Sequence, residues 1–340
     1  MNYLLNGYFG YANAGDEAVL AAMLAHLRLL DSSAAFTATS GDPGATQRLH
    51  GCDAIGRQNP RELLGALRKC DVFLSGGGSL VQDVTSVRNA VYYTTLLRTA
   101  KTLGKPTMVY AQGVGPLRSG VARRAARAAF QGARVVTVRD GDSAKLLREI
   151  GVTRAVEITA DPVWDLSNAG IGSRNAEKEW VVALRSWPGQ EFDAVRRTLE
   201  AIRGAARGAG ATLRFLAMQT GVDDALLGSL VAPNEWIETK GKHPREVLAQ
   251  VAGADLMLGM RLHALIFAAS LRVPVVAFDY DPKVRSLANI VGAPLVASPS
   301  SEDLAALPSL IEAAKPLDAG KLDELRNKAR RNAELAAKLK

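Results

Sequence analysis

Short apolar runs rich in β-branched residues alternate with longer stretches of three- and four-residue apolar period along almost the whole chain. This alternation constrains the fold more than any other feature, because it is the pattern of βαβ units, in which helices connect parallel strands. In the first half, strand-like runs fall at 3–6, 36–39, 72–75, 107–111, 135–138 and 156–159. The spacing predicts a helix over 16–30, where Val19, Leu20, Met23, Leu24, Leu27 and Leu30 share one face.

After Asp161-Pro162 the pattern lapses into a small, polar stretch from Leu166 to Asn175 with turn chemistry, then resumes. Strands are predicted at 180–184, 212–217, 256–258 and 275–278, and helices at 192–208 and 244–252. The expected fold is therefore α/β, with two Rossmann-like open sheets. The predicted organisation is an N-terminal domain over 1–165, a linker over 166–178, a second domain over 179–318 and a C-terminal helix over 319–340. The apolar positions of that last helix, Leu322, Leu325, Ala329, Ala333 and Leu335, are sparse. It is expected to lie across a domain surface. Open α/β sheets bind ligands outside the carboxyl ends of their strands, so the functional site is expected in a crevice between the two halves.

With 48% hydrophobic and 22% charged residues, the chain has the composition of a soluble α/β protein. No apolar segment approaches the roughly 18 residues a membrane span needs. The first residues lack the basic-then-apolar order of a signal peptide, which predicts a cytoplasmic protein. Cys52 and Cys70 are isolated, without disulfide-framework or zinc spacing, and read as buried thiols. The net charge of +8 points to an anionic partner. Its densest stretches are Arg118, Arg123, Arg124 and Arg127, and the tail Lys328, Arg330, Arg331, Lys338 and Lys340. Neither interleaves aromatics with its cations, which ranks nucleic acid below a membrane surface or a phosphate. A solvated face is the plainer account of each.

The residues that follow predicted strands carry the possible chemistry. The first corner, residues 7–17, combines glycines with Asn13 and Asp16, which either cap the next helix or bond a polar ligand. It lacks the dinucleotide fingerprint, and no P-loop occurs in the chain. The second corner has Gly76, Gly77 and Gly78 in succession, more than a tight turn requires, and reads as a backbone nest for an anionic oxygen or a sugar. Asp83 and Arg88 follow, placed either to meet hydroxyls or a phosphate or to form a surface ion pair. Gln112, Arg139 and the stretch Leu184-Arg185-Ser186-Trp187 end further strands. Arg139 is equally suited to pairing with Asp140 or Asp161, and Arg185 to capping a helix.

Two adjacent corners of the second half stand out. One carries Arg261 and His263 and the other Lys283. An arginine grips a carboxylate or phosphate with two bonds, a lysine supplies a point charge, and an imidazole transfers protons near neutral pH. His26, His50 and His243 lack comparable company. Together the three side chains suit a phosphorylated acid. No cluster with metal-ligand spacing is evident, so neither a metal nor a cofactor is expected.

These residues sit within motifs that together resemble the polysaccharide pyruvyl transferase family, especially its bacterial cell-wall members of the CsaB type. The motifs are GYFGYANAGDEAVL at 7–20, SGGGSLVQDVTSVRNAVYY at 75–93, YAQGVGPL at 110–117, VRDGDS at 138–143, GMRLHALIFAA at 259–269 and DYDPK at 279–283. The resemblance covers nearly the whole chain. It implies a GT-B-type arrangement of two Rossmann-like domains with an interdomain cleft, and transfer of the pyruvyl group of phosphoenolpyruvate onto two hydroxyls of one sugar as a cyclic ketal. In the cell-wall branch the implied acceptor is an N-acetylmannosamine unit on a lipid-diphosphate-linked glycan. Its product is a pyruvylated secondary cell-wall polymer recognised by surface-layer proteins. On this resemblance Arg261 and Lys283 hold the phosphate and carboxylate of phosphoenolpyruvate, and His263 is the general acid or the base. Arg139 and Arg185 make further donor contacts, and Asn13, Asp16, Gly77, Gly78, Asp83, Arg88 and Gln112 position the acceptor. The basic surface then implies peripheral contact with the inner leaflet of the cell membrane, and nucleic acid is not an expected partner. Two other functions fit the same crevice, a GT-B glycosyltransferase using a nucleotide sugar and a non-catalytic module binding anionic glycan.

Overall fold

The computed structural model of the protein describes residues 1–84, 86–166, 177–185, 192–297 and 301–339. Most of the expected linker lies outside this set, as do Ser186, Trp187 and Lys340. The chain divides into two compact units. The first comprises Met1–Tyr11, Asp16–Leu166 and Glu324–Lys340, and the second Ala12–Gly15 and Ser167–Asp323.

The first unit is built on a parallel sheet of strands β1 (Asn2–Phe9), β2 (Ala35–Ser40), β3 (Asp53–Gly56), β4 (Val72–Gly76), β5 (Thr107–Gln112), β6 (Val135–Val138) and β7 (Glu157–Ile158). Between them run helices α1 (Ala14–Leu30), α2 (Pro43–His50), α3 (Pro60–Lys69), α4 (Val87–Thr102), α5 (Gly120–Gly132) and α6 (Gly141–Glu149). The strand order β3-β2-β1-β4-β5-β6-β7 reverses direction between β1 and β4. Strands β4 and β5 are buried at every residue, which is why they read as unbroken apolar runs instead of alternating ones. Below them α4 and α5 place Tyr93, Leu97, Ala126 and Phe130 against Phe73 and Val109. Each such large apolar side chain contributes about 1.5–3 kcal/mol on burial.

The second unit repeats this winding with strands β8 (Glu179–Ala183), β9 (Thr212–Leu216), β10 (Trp236–Ile237), β11 (Leu256–Gly259), β12 (Val275–Phe278) and β13 (Leu295–Val296). Its order, β10-β9-β8-β11-β12-β13, reverses between β8 and β11. The helices that follow are α7 (Phe192–Ala209), α8 (Asp223–Leu227), α9 (Pro244–Val251), α10 (Leu262–Ser270), α11 (Pro282–Val291), α12 (Ser301–Ala305), α13 (Leu307–Ala313) and α14 (Ala319–Ala337), the last of which belongs to the first unit from Glu324 onward. Trp180, Phe215, Leu258 and Phe278 form its core. Every named strand pair in both sheets is parallel.

Strands β3, β10 and β13 were not anticipated. They are two to four residues long and sit towards sheet edges, too short to show a period. The last helix also differs from expectation. Its buried stripe, Leu322, Leu325, Ala329, Asn332, Ala333 and Ala336, runs through a polar residue, whereas Leu335 is only half-buried. Asn332 is wholly buried and belongs to the first unit. Its Oδ1 accepts from Thr137 Oγ1 at 2.7 Å and Thr159 Oγ1 at 2.8 Å, and its Nδ2 donates to the Ala160 carbonyl at 3.1 Å. Arg330 adds two bonds to Asp165, at 2.6 and 2.7 Å.

Candidate functional site

In the first unit Asp16, Gly77 and Gly78 lie where the strand order reverses, after the carboxyl ends of β1 and β4, whereas Gln112 ends β5, Arg139 follows β6 and Arg88 stands on α4. Gly10 has a φ of 74°, and its amide donates to Glu17 Oε1 at 2.8 Å. Glu17 Oε2 in turn lies 2.8 Å from His50 Nε2, so a buried histidine and glutamate brace the loop. The triple glycine has an explanation in packing. A Cβ on Gly76 would stand 2.0 Å from the Tyr110 carbonyl oxygen, and one on Gly77 would stand 1.9 Å from Val19 Cγ1. The Gly77 amide is spent on the Tyr110 carbonyl at 2.8 Å and so is withdrawn from the expected nest. Gly78, with a φ of 76°, borders the Asp16 carboxylate: its Cβ would lie 3.0 Å from Asp16 Oδ1.

Asp83 is committed locally, accepting from the amides of Arg118 at 2.7 Å and Ser119 at 2.6 Å and so joining the β4 corner to the start of α5. Arg88 is exposed on the first turn of α4, where Ser86 provides the cap. Gln112 follows a bulge in β5 at which Ala111 takes a φ of 45°. Its side chain is fully buried, and neither amide atom meets a hydrogen-bond partner among the described residues. Arg139 pairs with Asp161 at 3.0 Å and Asp140 at 3.7 Å, and donates to Ser79 Oγ at 2.8 Å. Both pairings considered from sequence are thus made by a buried guanidinium, which also holds the glycine corner through Ser79.

In the second unit the residues again lie at carboxyl strand ends. Arg185 follows β8, Arg261 and His263 follow β11, and Lys283 follows β12. These three strands are direct neighbours, with β8 and β11 flanking the reversal. Arg261 occupies the cap position of α10 but provides no side-chain cap, and His263 stands on the helix's first turn. Arg261 is 8% exposed, and its guanidinium grips Asp223 with two bonds, Nε to Oδ2 at 2.9 Å and a shorter one from Nη2 to Oδ1. Asp223 also accepts from the Gln219 amide at 3.0 Å.

The segment Ala12–Gly15 completes this unit. The Ala14 amide donates to the Met218 carbonyl at 2.7 Å, the Thr220 amide donates to the Ala12 carbonyl at 3.1 Å, and Asn13 bridges to Gln219. Asn13 Oδ1 accepts from the Gly15 amide at 3.0 Å, the capping role considered from sequence. Gly15 lies flat against the imidazole of His263. A Cβ there would be 2.3 Å from Nδ1 and 2.7 Å from Cγ, so only glycine leaves room for the ring.

Lys283 and Arg185 meet at Tyr280. The lysine Nζ is 6.0 Å and the Arg185 guanidinium 5.4 Å from the ring centroid, and Arg185 Nη1 lies 3.4 Å from the hydroxyl. Lys283 is also 3.3 Å from Asp281, whose other oxygen caps α11. The cations of this unit therefore come with carboxylates. Arg261 and Lys283 each have one, which lowers the net positive charge below what the sequence implied. Asp223, Tyr280 and Gly15 are additions. The last two lie inside the quoted motifs, whereas Asp223 sits in Gly221-Val222-Asp223-Asp224, which carries no recognisable signal. Cys70 is buried and Cys52 half-buried, and burial pushes both thiols up to about 11, which keeps them protonated and inert near neutrality.

One continuous match to the model of the polysaccharide pyruvyl transferase family runs over residues 13–282 and takes in most of the motifs around these corners, with Lys283 one residue beyond its end. The chain belongs to that family. No curated protein matches the chain by sequence. Among solved structures, the UDP-GlcNAc 2-epimerase of Methanocaldococcus jannaschii superposes with a TM-score of 0.67 at 11% identity, covering 99% of each chain. The Neisseria meningitidis UDP-GlcNAc 2-epimerase bound to UDP-GlcNAc gives 0.67 at 13% identity, covering 99% of this chain and 100% of that one. A spinosyn rhamnosyltransferase complexed with thymidine diphosphate gives 0.56 at 12% identity over all of both chains. At these identities the likeness shows the fold alone, and the pyruvyl transferase chain has the α/β fold of GT-B epimerases and glycosyltransferases. No described helix is long and apolar enough to cross a membrane.

Proposed function

We propose that this pyruvyl transferase uses phosphoenolpyruvate as donor and a sugar with two neighbouring hydroxyls as acceptor. The observation that carries the reading is the seat of His263. It stands on the first turn of α10 beside the clamped Arg261, with its ring fixed on Gly15. Such a proton-transferring group held at a fixed position is what ketal formation needs. A proton goes to the methylene carbon of phosphoenolpyruvate, and the first sugar hydroxyl adds to the neighbouring carbon while losing its own proton. The bond from that carbon to the phosphate oxygen then breaks. Phosphate departs with the electron pair, and the second hydroxyl, losing its proton, closes the ring. His263 moves the proton in this scheme. Arg185 and Lys283, the pair around Tyr280, receive the donor's carboxylate and phosphate and stabilise charge on the leaving group. Arg261, oriented by Asp223, presents its remaining donors to the same anion. Asn13, Asp16 and Gly78 orient the acceptor, for which an N-acetylmannosamine unit on a lipid-diphosphate glycan is the proposed form. The exposed arginines of α5 serve as a contact for the anionic inner leaflet.

Release of inorganic phosphate from phosphoenolpyruvate, measured with a lipid-linked disaccharide, tests this directly. The expected result is turnover that is severely reduced in His263→Ala. The second reading, nucleotide-sugar transfer, is favoured by one feature. The start of α10 is not capped by the side chain at its cap position, and such a helix start accepts a diphosphate. Turnover of a nucleotide sugar with none of phosphoenolpyruvate would establish that alternative.

A further inference from the structure

One buried cation of the first unit belongs to none of the groups above. Arg57 directly follows β3 at the carboxyl end of the first sheet, its amide donating to the Ser40 carbonyl at 2.9 Å. It is 8% exposed, and its guanidinium carbon lies 4.6 Å from the ring centroid of Tyr92, 5.2 Å from Tyr93, 5.6 Å from Tyr11 and 5.7 Å from Tyr8. The Tyr92 hydroxyl donates to its carbonyl at 2.9 Å, fixing the backbone as well. No ion pair joins Arg57 to a carboxylate among the described residues, whereas Arg139 and Arg261, equally buried, each hold an aspartate. A buried guanidinium is ordinarily paired. Aromatic faces stabilise the cation through their quadrupoles but leave its charge uncancelled. The Asp16 carboxylate acts on Tyr8 and Tyr93 from a distance without pairing with Arg57, so in poorly screened surroundings the guanidinium still attracts an anion that reaches it.

The tyrosines around it add a second observation. Tyr8 and Tyr11 stack with ring centroids 4.3 Å apart and planes 13° apart, and both are half-buried. Tyr11 lies so close over Gly41 that a Cβ there would stand 2.6 Å from the ring. Neither hydroxyl has a hydrogen-bond partner among the described residues. A flat aromatic pair receives the C–H face of a sugar ring on its electron-rich surface. A guanidinium with two phenol donors offers three directions of hydrogen bonding, which match the three terminal oxygens of a phosphoryl group better than the two of a carboxylate.

We propose that Arg57, Tyr8 and Tyr11 form a subsite for a glycosyl phosphate, the phosphoryl group on the guanidinium and phenols and the sugar ring on the stacked pair. The assignment of this ligand to the acceptor side rests on the transferase reading, since the tyrosines belong to the β1 corner that also carries Asp16. The binding itself does not depend on it.

Calorimetry on the full chain separates the two, because it needs no turnover. N-acetylglucosamine 1-phosphate is expected to bind in a salt-sensitive manner and at least about tenfold more tightly than N-acetylglucosamine or glucuronate. Arg57→Met should remove that advantage while leaving affinity for the neutral sugar and the KM for phosphoenolpyruvate unchanged, and Arg57→Lys should restore part of it. Tyr11→Phe keeps the ring and removes one donor, so it decides the matter if Arg57→Met fails to fold; it should weaken the glycosyl phosphate alone. Phosphatidylcholine vesicles containing phosphatidylglycerol distinguish a lipid headgroup as the source, and their binding should be the same for wild type and Tyr11→Phe. Equal affinity for the glycosyl phosphate and the neutral sugar, tighter binding of glucuronate, loss of vesicle binding in Tyr11→Phe, or unchanged glycosyl phosphate binding in Arg57→Met would each overturn the proposal. Failure of phosphoenolpyruvate turnover with this binding intact would discard the transferase chemistry and leave the subsite standing.

Discussion

The two sheets reverse their strand order at equivalent places yet equip those places differently. At β1 and β4 the first unit uses glycines and a carboxylate, with a tyrosine-ringed arginine after the edge strand β3; at β8 and β11 the second uses an arginine held by a carboxylate and a histidine held by a glycine. Winding fixes where a ligand can approach, and side chains fix which ligand it is. In the first unit, glycine is needed because backbone and side chains crowd in. In the second, charge is held in position by countercharge.

This contrast makes the two corners fail differently when altered. The largest expected effect is on chemistry: His263→Ala should cut turnover by about 10²–10⁴-fold, with thermal unfolding unchanged. Equal loss of melting temperature would make His263 a packing residue and erase the contrast. Asp223→Ala comes next, since it leaves the Arg261 guanidinium buried and unpaired; a destabilisation of about 3–5 kcal/mol is expected in denaturant titration. Gly77→Ala tests the first corner, where strain and overlap with Val19 should cost roughly 1–3 kcal/mol of stability. Gly15→Ala sharpens the comparison because its overlap is with the His263 ring: turnover should fall by about tenfold or more, beyond any change in melting.

The smallest effect concerns acid. Burial pushes the Asp165 carboxyl up, but hydrogen bonds from His26 and Arg330 outweigh this and hold it below the usual carboxylate range. A depressed value means that its stabilisation is present above the ordinary value of about 3.9 and is lost as pH falls through the folded one. With Arg330 half exposed, roughly a few tenths of a kcal/mol should disappear below about pH 4. Asp165→Asn should flatten that part of the pH profile of unfolding.

Much of this architecture was legible in the sequence because buried parallel strands leave continuous apolar runs and their helices a clear period. The corners could be located for the same reason, as each follows such a run. What the sequence does not reveal is partnership. Arg261 reads as a cation open to a ligand until Asp223, 38 positions earlier, is seen in its grip. The successive glycines read as a nest, but Gly76 and Gly77 answer to Tyr110 and Val19, contacts that no local pattern announces. Arg57 had no signal at all, because its four tyrosines come from positions 8, 11, 92 and 93 and meet only in the folded unit.

Asn332 has a consequence for assembly of the first unit. Its amide satisfies hydroxyls on two successive segments, Thr137 and Thr159, that no apolar side chain could serve. The flanking Ala329 and Ala333 set no register of their own, so this buried contact, together with the Arg330–Asp165 pair, acts as an address, telling the helix where along the completed sheet to stop.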